Sequence, residues 1–86
     1  MIIKKELIKR DIAGDTILVP VGKSVLENNG LYALNEVASF IWDILPTVEN
    51  EEEIIEKIIE TYEIDEITAR NDCHLFLENL KKMNII

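Results

Sequence analysis

The segment between Asn35 and Pro46 most restricts what this chain can become. Val37, Ala38, Phe40, Ile41, Trp42, Ile44 and Leu45 leave only Glu36, Ser39 and Asp43 as a polar stripe. At about 100° per residue, those apolar positions cover well over half of a helix circumference. Such a helix cannot rest on one neighbour with its back to water; it has to be central. Its limits are also written locally. Asn35 is a good N-cap and Glu36 lies where the helix dipole favours negative charge. Pro46 ends it, because proline cannot continue the hydrogen-bond ladder and disfavours helix at the residue before it.

What surrounds this helix must come from the rest of an 86-residue chain, which has room for one compact domain. Residues 7–13 (LIKRDIA) alternate imperfectly, Ala13-Gly14-Asp15-Thr16 is a turn signal, and residues 16–21 (TILVPV) are rich in β-branched side chains, so a hairpin is expected. Pro20 cannot donate to a ladder and belongs at a strand end or an unpaired edge. Asn28-Asn29-Gly30 signals a second turn before a short third strand at 31–34. After the central helix (35–45), a second helix (50–62) opens with Thr47 or Asn50 as cap and with Glu51, Glu52 and Glu53 at its positive end. Ile54, Ile55, Ile58, Ile59 and Tyr62 form its buried face. A third helix (65–82) starts at Asp65, with Ile64 and Ala69 spaced as a hydrophobic staple and Ala69, Cys73, Phe76, Leu77, Leu80 and Met83 as the buried stripe. The order is three strands, then three helices: an α+β chain.

Charge and chemistry narrow the function. Nine basic and 17 acidic residues give a net charge of −8, which repels phosphate backbones. The imbalance sits in the second half, where four basic residues face ten acidic ones against five and seven over positions 1–50. No apolar run reaches the roughly 20 residues of a membrane span and no secretory signal opens the chain. A lone cysteine, Cys73, fits a reducing compartment, so a cytoplasmic location is expected. Cys73 and His74 adjoin on a helix and diverge by about 100°, so they do not face each other as nucleophile and base. Cys73 reads as core and His74 as surface. No paired Cys or His ligands mark a metal site, and Gly14, Gly22 and Gly30 build no phosphate-binding loop. No catalytic residues, metal or cofactor are expected.

The segment Leu34-Asn35-Glu36-Val37-Ala38-Ser39-Phe40-Ile41-Trp42 resembles the Leu-Asn-Glu-Thr-Ala/Gly-x-x-Ile-Trp signature of the PqqD-like family, the RiPP recognition elements. Residues 17–22 (ILVPVG) are similar to that family's second strand, and residues 72–80 (DCHLFLENL) to its later Asp-Val-x-x-Phe-Leu-x-x-Leu pattern. The likeness runs from about residue 7 to the C-terminus. Val37 stands where Thr is common, Cys73 where Val is common, and Glu49-Asn50 look like an insertion before the second helix.

The resemblance implies a winged-helix-like fold, a three-stranded antiparallel sheet followed by three α-helices. It also implies a non-catalytic adaptor that binds the leader segment of a ribosomally made precursor peptide and presents it to a tailoring enzyme such as a radical SAM, cyclase or protease component. In the family the leader adds as a strand to the third β-strand beside the third helix. Carried over, the docking strand is Leu31, Tyr32, Ala33 and Leu34. On the third helix Leu75 lies outside the main stripe and shares a neighbouring face with Thr68, Asp72 and Asn79, beside Phe76; this face is expected to look into the groove. Tyr32, with its polar tip, is expected to touch the peptide, while Phe40 and Trp42 are expected in the core.

Two rivals share the architecture or composition. A winged-helix DNA-binding regulator would insert its last helix into a major groove, but Glu66, Asp72 and Glu78 there offset Arg70, Lys81 and Lys82. A carrier protein needs a serine in an Asp-Ser-Leu-like setting, and neither Ser24 nor Ser39 has one. An antitoxin or other protein-interaction adaptor is the remaining alternative; nucleic acid and membrane are not expected partners.

Overall fold

The computed structural model describes residues 1–23 and 32–86. The expected turn at Asn28-Asn29-Gly30, Ser24, and Leu31 at the start of the docking strand lie outside the described residues. Strands β1 (Leu7–Ile12), β2 (Asp15–Pro20) and β3 (Tyr32–Leu34) form an antiparallel sheet in the order β1-β2-β3. Helices α1 (Glu36–Ile44), α2 (Glu51–Thr61) and α3 (Glu66–Lys82) follow, with a short 3-10 turn at Leu45–Thr47 between the first two. The fold is α+β and winged-helix-like.

The register of the sheet decides which edge is open. Ala13 and Gly14 connect Ile12 to Asp15 with φ of 52° and 87°, the twist that suits a tight hairpin. Val21 N–H donates to the Glu6 carbonyl at 2.9 Å, one step beyond the Leu7–Pro20 pair. Opposed residues in an antiparallel ladder alternate between bonded and non-bonded pairs. Counting from Val21, the main-chain groups of Val19, Ile17 and Asp15 therefore turn to β1, and those of Leu18 and Thr16 to β3. Pro20 falls in the second set, so its missing donor lies away from β1.

Each helix starts on a side chain that accepts from the first turn. Asn35 Oδ1 accepts from Ala38 N–H at 2.8 Å, Asn50 Oδ1 from Glu53 N–H at 3.0 Å and Asp65 Oδ1 from Thr68 N–H at 2.7 Å. Of the two caps considered for α2, Asn50 is the one used; Thr47 instead donates its hydroxyl to the Ile44 carbonyl. Helix α3 ends on Asn84 at φ 58°, with Asn84 N–H donating to Lys81 O and Ile85 N–H to Leu80 O. These are the paired bonds of a left-handed C-terminal cap, and buried Leu80 and Ile85 provide its apolar contact.

The core lies between the inner sheet face and the helices. Ile41 and Trp42 of α1 meet Ile54, Ile55 and Ile58 of α2, Cys73, Phe76, Leu77 and Leu80 of α3, and Leu18 and Leu34 of the sheet. Trp42 is 9% exposed, and Phe40 packs edge-on against Tyr62 at 5.4 Å. One expectation needs correcting: the helical period puts Ile59 on the buried face of α2, but it is 40% exposed. Ile54, Ile55 and Ile58 fill the contact with α1 and α3, and Ile59 projects past its rim.

Candidate functional site

Strand β3 pairs only with β2 among the described residues, so its other side is a sheet edge. The register identifies what that edge offers. Leu18 and Thr16 bond across to Tyr32 and Leu34, so the N–H and C=O of those two residues are used within the sheet, and Ala33 turns both of its main-chain groups outward. One donor and one acceptor at a short edge strand are the elements by which an extended peptide joins a sheet.

Facing this edge is α3. Tyr32 and Phe76 meet edge to face with ring centroids 5.9 Å apart, and Asn79 Nδ2 donates to the Tyr32 hydroxyl at 3.2 Å. These contacts fix the distance between strand and helix. The cleft between them holds about 130 Å³; Tyr32, Ala33 and Asn35 line one side, Asp72, Leu75, Phe76 and Asn79 the other, and Val37, Ala38 and Ile41 of α1 the floor. Leu75 is 64% exposed; it belongs to the groove wall and not to the core.

Of the residues expected at the site, Tyr32, Ala33, Asp72, Leu75, Phe76 and Asn79 are brought together around this cleft. Leu34 is not: it is buried, its side chain belongs to the core cluster, and its main-chain groups serve β2. Thr68 is exposed but outside the cleft lining, and its hydroxyl donates to Asp65 Oδ2 at 3.1 Å in the helix cap. Tyr32 contributes its ring, while its polar tip is already bonded to Asn79. Asn35, Val37, Ala38 and Ile41, which the sequence marks only as cap or core, also line the cleft. The signal for them was their position next to the docking strand, since a helix that follows β3 directly must supply the floor beneath it.

Neither Cys73 nor His74 lines the cleft. Burial pushes the Cys73 thiol up to about 12, reinforced by the charge of Glu51, and the residue lies on the core side of α3. His74 Nδ1 is 3.5 Å from Glu51 on the outer surface, away from the cleft. No group of three or more His, Cys, Asp or Glu stands close enough to hold a metal ion among the described residues. None of the described helices is long and apolar enough to cross a membrane.

Residues 16–86 match the family model described as Coenzyme PQQ synthesis protein D (PqqD). No curated protein matches the chain. Among solved structures, the chain is similar to TbiB1 in complex with the TbiA(beta) leader peptide, at 26% identity and a TM-score of 0.73, over 99% of this chain and 93% of that one.

Proposed function

The chain belongs to the PqqD family, and from that premise we propose that it is a peptide-binding adaptor: it holds the leader segment of a ribosomally made precursor and presents the remainder to a separate modifying enzyme. The observation that carries this reading is the open edge at Ala33 facing Leu75 and Asp72 across the cleft. Main-chain bonds to Ala33 would hold any extended segment, and side chains on the α3 wall would choose among them. TbiB1, solved with a leader peptide, shares the fold over nearly the whole length, which supports the same use of the cleft here.

The reading assigns no chemistry to the adaptor itself. A buried, protonated thiol and a surface histidine do not make a nucleophile and base, so modification is left to the partner enzyme. A cytoplasmic location accords with a lone unpaired cysteine. The test uses leader peptides from precursor genes neighbouring its own, followed by fluorescence anisotropy and by intact mass after prolonged incubation. Saturable binding with unchanged peptide mass is expected. A mass change with no other enzyme present refutes the adaptor role, and absence of binding by every such leader refutes the peptide-presenting one.

A further inference from the structure

We propose that the peptide admitted by this groove carries a lysine or arginine opposite Asp72, two positions from an apolar residue seated over Leu75 and Phe76. The inference rests on the reading of the cleft as a peptide site and specifies which peptides it takes.

The charge argument begins with the neighbours of Asp72. Other acids on or beside α3 are occupied: Arg70 pairs with Glu52 and Glu66, Lys81 lies 3.6 Å from Glu78, and Asp65 caps the helix. The carboxylate of Asp72 is exposed at the cleft and has no hydrogen-bond or ion-pair partner among the described residues. None of the described residues lining the cleft is basic. Lys82, the remaining cation of α3, follows Asp72 by ten positions, roughly 15 Å along the axis at about 1.5 Å per residue. A peptide cation is therefore the charge this wall lacks, and a net charge of −8 steers basic segments toward it and acidic ones away.

The spacing follows from matching a strand to a helix. Residues i and i+2 of an added strand face the same wall about 6.6 Å apart, while Asp72 and Phe76 are one helical turn apart, about 6 Å. A cation over Asp72 thus brings the side chain two places away onto Phe76 and the exposed Leu75. That neighbour should be apolar, because it covers a leucine otherwise left in water.

The experiment selects a displayed library of random short peptides on the parent protein, Asp72→Asn and Asp72→Lys, each checked for an unchanged melting curve. On the parent, Lys or Arg two positions from an apolar residue is expected to be enriched. Enriched peptides should bind Asp72→Asn about threefold more weakly, as for one solvent-touched ion pair, and raised salt should narrow that difference by screening the pair in the parent. Selection on Asp72→Lys should favour Glu or Asp instead. A pool without a basic preference, or the same preference on Asp72→Lys, overturns the charge assignment and leaves the groove intact. Peptides indifferent to both Ala33→Pro and Leu75→Lys, or no enrichment at all, overturn the groove reading and this inference with it.

Discussion

Trp42 lies where α1 meets the rest of the core, and nothing about its contacts serves the cleft directly. Its truncation to alanine should destabilise the fold by about 3–5 kcal/mol, the range for emptying an aromatic core position. Chemical denaturation checks this, and a variant that unfolds like the parent but loses peptide binding would move Trp42 from core to site. Cys73 makes a second residue-level expectation through its ionisation. Its folded-state pKa is raised, from 9.0 to about 12, so its contribution to stability is complete below pH 9 and is lost as pH rises toward 12, where the unfolded chain ionises first. Other groups titrate over the same range, so the measurement is the difference between the parent and Cys73→Ala in stability against pH. The parent should lose stability more steeply above pH 9. Parallel curves would show that the thiol titrates as it does in the unfolded chain.

Among the elements, the β1-β2 hairpin holds a local conflict. Ala13 sits at φ 52°, where an alanine Cβ costs about 1 kcal/mol and asparagine is better tolerated. Ala13→Asn should therefore stabilise the fold by roughly that amount, read as a raised denaturation midpoint; a lower midpoint would mean that the alanine side chain is worth more at the turn than its backbone strain. Ala13-Gly14 was legible as a turn signal, but the left-handed alanine was not, because only the pairing of Ile12 with Asp15 forces it. The helices were legible for a different reason: period and caps are local, and Asn35, Asn50 and Asp65 each act within a turn. Ile59 was misplaced because periodicity marks a face without saying how wide the neighbouring helices are. The site was legible in part. Leu75 stood out by spacing on one helix, whereas the bond from Asn79 to Tyr32 joins residues 47 apart, and the outward turn of Ala33 depends on a register carried over from Glu6 and Val21 through two strand pairings.

For the molecule as a whole, the question is whether binding is confined to one side. The bonds from β3 to β2 are made by Tyr32 and Leu34, so Ala33→Pro removes an outward N–H without breaking the sheet. Proline also favours an extended residue before it, which Tyr32 already is. The variant should fold like the parent and bind a leader peptide at least about tenfold more weakly, since one main-chain bond is lost and the ring obstructs the incoming strand. Tyr32→Phe keeps the ring against Phe76 and gives up only the hydroxyl that Asn79 bonds, so its effect on affinity should be much smaller. Leu75→Lys attacks the opposite wall, where it replaces an apolar contact by a charge, and it leaves Ala69, Cys73, Phe76 and Leu80 in the core. Backbone amide shifts during titration of the parent locate the complex independently of any variant. They should concentrate at 32–33 and 72–79, on the two walls of the cleft. Shifts gathered instead on the acidic face of α2, between Glu51 and Glu60, with both walls silent, would mean that the peptide is attracted by charge alone and that strand addition at Ala33 does not occur.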